Sequence, residues 1–468
     1  MKVNLIEKYV LVYVPWLLAL VFKSDPEASY VVAWLGSFFI LFVTISGKIT
    51  PLPSDLSFAE QLMRPIILVQ IIFAGYMACT SIFYFLDVLG YENFKKVSNY
   101  YLVDTAQLEL TAQCQRYYCL GHAALVTGML ICMKYPIRHQ YRVNNERVAN
   151  LLLIMAIITL PLSYIFQHVQ GLSQFSNQFN ALSFIAGTLA LAFAIPQRKI
   201  TNTIICAFLY ISNFYQSLLS GYKEPIITSI MVLGIFLYPH YKKIVLTIFV
   251  PALVLLFLFL PTYNRIFREN AWADDVAADQ ASEIALDAAL SQANGQGDQS
   301  NWYFLVNRLS EIDMFTKYVK TTPNQVNFYG FTLLEQAAYA IIPRVFWPSK
   351  PNTEDLVMER VYNAGVIHRG SIVSAKPAFI VDAYLSAGAI GIFISLFLYG
   401  AFAQLISQQA EKLFGGYILG TAFIFSGLFQ IFWRGLNFEF IINTVFWSYV
   451  SMLLIQKILV AMHVLEKT

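Results

Sequence analysis

Apolar runs of roughly 15 to 25 residues recur along this chain, and nothing constrains its fold more. They fall at about 5–22, 29–46, 66–89, 117–133, 149–167, 181–196, 201–219, 225–239, 244–262, 378–405, 415–432 and 438–458. A helix needs about 20 apolar residues to cross the hydrocarbon core, and in lipid the backbone must satisfy its own hydrogen bonds. With 57% hydrophobic and 13% charged residues among 468, the chain cannot close as a soluble globule. The sequence predicts an all-α polytopic membrane protein of about 12 transmembrane helices, within a range of 11 to 14. The lipid bilayer is the first partner expected; no nucleic acid is.

One stretch interrupts the succession. Residues 263–377 form a polar insertion between the ninth and tenth runs, dividing the chain into an N-terminal bundle (1–262), a large external loop (263–377) and a C-terminal bundle (378–468). Function is expected on the face that carries this loop.

Lys and Arg assign that face, because short cytoplasmic loops are enriched in positive charge while long translocated segments are exempt. Segments 1–8, 47–65, 134–148, 197–200, 240–243, 406–414 and the C-terminus hold 15 of the 31 basic residues. The alternate short segments hold six and the insertion ten. Both termini are expected in the cytoplasm and the loop outside it. The N-terminus, with Glu7 and Lys8 entering an apolar run, reads as an uncleaved first span. The same alternation brings three distant elements to the outer face: S-G-Y-K-E-P at 220–225, the long loop, and W-R-G-L-N-F-E at 433–439.

The five cysteines, Cys79, Cys114, Cys119, Cys132 and Cys206, show no metal-binding spacing; Cys114 and Cys119 lie near the outer surface as ordinary thiols or a disulfide pair. The chain has no glycine-rich phosphate loop, HExxH or short-period repeat.

The loop has two halves. Residues 269–298 hold seven acidic residues and no Lys or Arg; the alanine-rich part reads as an exposed helix and the following Q-A-N-G-Q-G-D-Q as a flexible connector. The second half mixes aromatics, among them Tyr339, Trp347 and Tyr362, with cations including Arg344, Lys350, Arg360 and Arg369. A pyranose ring offers an apolar face to an aromatic, and a phosphate takes Arg or Lys, so the mixture suits a phosphorylated glycan ligand. The same residue types also anchor proteins at bilayer interfaces.

Within I-P-R-V-F-W-P-S-K-P at 342–351, three prolines stiffen the chain around Arg344, with Lys350 following. This element is either a rigid cation mount or a helix stop. Arg434 follows an apolar span and opens a short turn, where an ionisable group is a functional candidate. Asp382 lies just inside the outer end of the tenth run and can act as a base or pair with an arginine. His368, the one histidine of the loop, is the rival base.

The order S-G-Y-K-E-P-I-I, G-F-T-L-L-E-Q, I-P-R-V-F-W-P-S-K-P, D-A-Y-L-S-A-G-A-I-G and W-R-G-L-N-F-E, over roughly residues 200–450, resembles bacterial polysaccharide repeat-unit polymerases of the Wzy type, which include O-antigen polymerases. The amino-terminal half is similar only as generic spans. The resemblance implies a GT-C membrane glycosyltransferase of the bacterial inner membrane with its loop in the periplasm. Its substrate would be undecaprenyl-pyrophosphate-linked oligosaccharide, joined end to end for lipopolysaccharide O-antigen, with a chain-length regulator as a possible further partner.

Because pyrophosphate leaves as a stable anion, such a site needs positive charge more than a proton donor. Arg344, Arg434 and Lys223, then Lys350 and Arg369, are the candidates for that role. Trp347, Tyr339 and Tyr362 are the candidate glycan platforms, and Asp382 or His368 the base. Neither a metal nor a cofactor is expected. Two other readings share this architecture: an O-antigen ligase, and a lipid-linked oligosaccharide flippase that does no chemistry.

Overall fold

Each of the twelve apolar runs is helical over most of its length in the computed structural model, which describes residues 5–143, 147–169, 172, 175–219, 223–273, 276–291, 300–307, 309–370 and 375–468. Among the described residues, strands amount to two short ladders, Tyr91–Glu92 with Lys95–Lys96 and Tyr141–Arg142 with Glu466–Lys467. Six helices are long and apolar enough to cross a membrane: Pro26–Ile45, Pro65–Val88, Val148–His168, Pro225–Leu256, Phe379–Leu413 and Phe438–Ala461. The chain is thus a mainly helical, membrane-embedded protein.

The residues group into two compact units, and one of the boundaries between them falls inside the loop. One contains 1–56, 63–140 and 305–458; the other contains 57–62, 141–304 and 459–468.

In the second unit, Val148–His168 and Ser176–Ala194 pair as a hairpin, joined by Ser183 Oγ donating to Ala156 O at 2.7 Å. Ile200–Leu219 and Lys223–Ile244 pack beside them. Where H-Y-K-K was expected to separate two spans, Tyr241 leaves helical geometry (φ −133°, ψ 46°). The alanine-rich acidic stretch is the helix Ala278–Ser291, as expected, but its alanine stripe is not exposed. Ala281, Ala285 and Ala289 recur every four residues and are buried against Tyr263 and Phe267, because small side chains let the helix lie close to that aromatic surface. The expected connector at 292–299 lies outside the described residues.

In the first unit, the helix Thr105–Cys132 is the axis. It starts at Asp104, whose carboxylate accepts from the N–H groups of Ala106 and Gln107, and it is buried along most of its length. Cys114 and Cys119 are buried within it as free thiols, at a spacing that turns them away from each other, so the disulfide alternative is excluded.

Its main partner is Phe379–Leu413, and the two helices cross on reciprocal glycines. A Cβ at Gly400 would collide with Leu125 O, and one at Gly128 with Phe397 O. Small residues permit this approach in lipid, where apolar burial drives little association. Gly400→Ala is expected to cost about 1–3 kcal/mol by overpacking, read as a smaller monodisperse fraction in detergent. Wild-type behaviour would show that the crossing relaxes freely.

Phe379–Leu413 is broken near its start, at Ala387 (φ −161°) and Gly388 (φ +62°, ψ −138°). The positive φ requires glycine. Carbonyls freed by the break are taken by the loop: Tyr329 N–H donates to Leu385 O at 2.9 Å and Gly330 N–H to Ser386 O at 3.0 Å. Irregular backbone at membrane depth is tolerated where protein satisfies it in this way. The short segment ahead of the break carries Asp382.

Candidate functional site

Four stretches far apart in sequence meet around that segment. Gln336 comes from the helix Thr332–Ile341, Arg360 from Thr353–Asn363, Asp382 from the start of the broken helix, and Asn437, Phe438 and Glu439 from the turn that opens Phe438–Ala461. Gly435, in left-handed geometry (φ +58°), makes that turn possible, and its carbonyl accepts from Phe379 N–H.

Arg360 is the hub. Its Nη1 and Nη2 donate to Glu439 Oε1 and Oε2 at 2.7 and 2.9 Å, Nη1 also to Gln336 Oε1 at 2.8 Å, and Nη2 to Asp382 Oδ2 at 3.4 Å. Asp382 Oδ2 accepts a second bond, from Phe438 N–H at 2.9 Å, and Asn437 Nδ2 donates to Glu439 Oε2 at 3.1 Å. Arg360 is 2% exposed, Asp382 0% and Glu439 3%. Burial alone would push the Arg360 guanidinium below its ordinary range, but the charges of Asp382 and Glu439 hold it above.

The hydrogen bonding is incomplete. Asp382 Oδ1, Arg360 Nε, Asn437 Oδ1 and the hydroxyl of nearby Tyr318 are buried without a partner. Burial, with the field of Asp382 next, raises the Tyr318 phenol above its usual range. Buried polar atoms are nearly always paired, so an unpaired set calls for a role.

A second buried guanidinium gives the contrast. Arg64 pairs with Glu411, near the far end of the broken helix, at 3.0 and 2.9 Å and with Asp55 at 2.8 and 2.6 Å, and it lies 4.2 Å over the Tyr135 ring. No carboxylate oxygen of Asp55 or Glu411 is left buried and unpaired. Arg64 has the completeness of a structural clamp; Arg360 lacks it.

Among the residues singled out from sequence, Asp382 and Arg434 come into this neighbourhood. Arg434 ends the short helix Ile431–Arg434 and lines a cavity with Trp433, Gly435, Phe379 and Tyr76. At about 30 Å³ that cavity has room for water and not for a sugar, and Asp382 itself is fully buried, so no substrate reaches its carboxylate in this conformation.

The proline–tryptophan element folds on itself: Arg344 Nη1 donates to Lys350 O at 3.1 Å and Lys350 Nζ to Ile342 O at 2.8 Å. Arg344 remains exposed, whereas Lys350 is buried; burial, then the charge of Arg344, lowers the pKa of its ammonium. Arg369 is held by Glu359 at 2.9 and 2.6 Å and lies 5.3 Å over Tyr362. Trp347 meets Tyr339 edge to face at 5.5 Å, and the Tyr339 hydroxyl donates to Glu335 Oε1. His368 is exposed. Lys223 opens Lys223–Ile244 in the other unit, and its side chain lies outside the described residues.

Sequence reasoning counted Arg360 only among the loop's cations, and it singled out neither that residue nor Glu439, Asn437, Gln336 or Tyr318 as part of a site. One signal was there: Arg360 falls among Val357, Met358 and Val361 on the buried face of its helix.

Fold and site together define a helical membrane protein with an incompletely satisfied carboxylate–guanidinium cluster at the loop-side end of a broken span. Residues 14–467 match the family described as Domain of unknown function (DUF8712), and the chain belongs to that family. No curated protein and no solved structure matches it.

Proposed function

We propose that this protein is a membrane glycosyltransferase that polymerises undecaprenyl-pyrophosphate-linked oligosaccharide units. In this reading twelve spans lie in a bacterial inner membrane, with both termini cytoplasmic and the loop periplasmic. The observation that carries the proposal is the uneven division of one guanidinium between two carboxylates. Glu439 takes two short bonds, whereas Asp382 has one long contact and an oxygen with no partner.

Asp382 Oδ1 is then the base. It takes the proton of an acceptor-sugar hydroxyl as that oxygen bonds to the donor's anomeric carbon and the bond from that carbon to the pyrophosphate breaks. Glu439 and Arg360 hold Asp382 in place. The departing anion meets Arg434, and the exposed guanidinium of Arg344 serves the same role when the loop opens to admit substrate. Trp347, Tyr339 and Tyr362 offer ring faces to the glycan.

The test is reconstitution with short-chain lipid-pyrophosphate-linked repeat units in the presence of EDTA. A ladder spaced by one repeat is expected. Transfer of finished polymer to a lipid A core acceptor would replace polymerase by ligase, and movement of substrate across the bilayer without product would replace it by flippase. Arg434→Ala and Arg344→Ala are each expected to insert normally and to slow ladder formation by roughly 10²-fold, the range for loss of one transition-state donor. Long polymer from both variants at the wild-type rate would remove the phosphate clamp.

A further inference from the structure

The helix Thr332–Ile341 has an exposed apolar side next to its buried one. Leu333, Ala337 and Ala340 are buried. Beside them the N-cap Phe331 is 88% and Leu334 52% exposed, and the apolar surface continues into the proline–tryptophan element with Ile342, Val345 and Phe346, the last 78% exposed. A water-facing helix would carry polar residues there. So much apolar surface on one element marks a contact with something apolar.

Continuity identifies the contact. Trp447 Nε1–H donates to Ile341 O at 2.8 Å, tying the end of this helix to the span Phe438–Ala461. Beside Trp447 stands Phe446, their rings 5.2 Å apart, and from Phe446 an exposed stripe runs down the span through Val450 and Leu454. Four-residue spacing puts those three on one face of a membrane-crossing helix, where lipid covers them. The Trp447–Ile341 bond sets the end of Thr332–Ile341 beside the part of the span where that stripe begins. Tyr339, Trp347 and the exposed Arg344 accompany it, the residue types that settle at the boundary between hydrocarbon and head groups.

We infer that Thr332–Ile341 and the proline–tryptophan element form an amphipathic surface that lies in the lipid interface at the loop-side ends of the spans, its occupant being the bilayer leaflet itself. Phe331, Leu334 and Phe346 enter the acyl boundary. Arg344 is thereby held at the depth of lipid phosphate. The inference stands independently of the proposed reaction, since it rests on exposure and continuity alone.

The test uses the full-length protein in phosphatidylglycerol–phosphatidylethanolamine nanodiscs without substrate. Single Cys replacements at Phe331, Leu334 and Phe346 carry a bimane label. The wild-type chain, whose cysteines are buried or half-buried, serves as the labelling background. Leu398, exposed within the broken span, and Asp355, exposed on Thr353–Asn363, are the lipid and water references.

Expected is quenching by nitroxide-labelled lipid close to that at Leu398 and several-fold above that at Asp355, with iodide showing the reverse order. Iodide quenching equal to that at Asp355 at all three positions would overturn the inference. So would protection from both quenchers together with cross-linking between copies, which would make this face a protein interface.

Discussion

Arg360→Ala is expected to lose about 3–5 kcal/mol of folding stability, the usual consequence of stranding a buried charge, together with all ladder formation. Removing the guanidinium leaves Asp382 and Glu439 facing each other out of water, with Gln336 deprived of its donor. Arg360→Lys keeps the charge but cannot make the forked contact with Glu439, so intermediate stability is expected. Thermal melts followed by fluorescence-detected size exclusion measure both.

Structural and chemical roles separate in a double variant. Arg360→Met with Glu439→Gln removes one charge of each sign, and replacing a buried pair by neutral groups is often harmless to stability. Folding should recover while activity stays absent, because Asp382 has lost the groups that position it. Arg64→Ala supplies the converse: a comparable stability loss at the complete cluster, with the activity per folded molecule retained. If Arg360→Ala folds and polymerises like wild type, the cluster is neither clamp nor site.

The helices were legible because length and hydropathy are local properties, and six of them are long and apolar enough to cross a membrane. All twelve apolar runs are helical, and even the turn at Tyr241 sits in the basic H-Y-K-K element. The break at Gly388 was not legible. Its glycine stands in S-A-G-A-I-G, which reads as a small-residue helix, and only the N–H groups of Tyr329 and Gly330, arriving from the loop, make the freed carbonyls tolerable.

The surroundings of the cations were legible in part. Around Lys350, a candidate cation for phosphate, prolines at 343, 348 and 351 strip donors from the backbone, and Lys350 supplies one to Ile342 O. Asp382 was visible as an ionisable group in an apolar run, but its partners were not. Arg360 and Glu439 are remote from it in sequence, and pairing across such separations leaves no local trace.

Asp382→Asn carries the sharpest test of chemistry. The amide preserves shape and retains an oxygen to accept from Phe438 N–H, and losing one negative charge relieves a cluster that has two carboxylates for one guanidinium. Folded yield should therefore stay near wild type. What the amide cannot do is take a proton, so ladder formation should fall by roughly 10²–10⁴-fold, the usual weight of a general base, while His368→Ala stays close to the wild-type rate. Asp382→Glu separates the two requirements further: it keeps basicity and moves the oxygens, so it should retain measurable activity with a slower rate. Activity in Asp382→Asn with loss in His368→Ala would transfer the base to the exposed histidine and leave the buried cluster a purely structural hinge between loop and span. Loss in both would divide proton transfer between them, with His368 delivered to the closed site by the same loop opening that admits substrate.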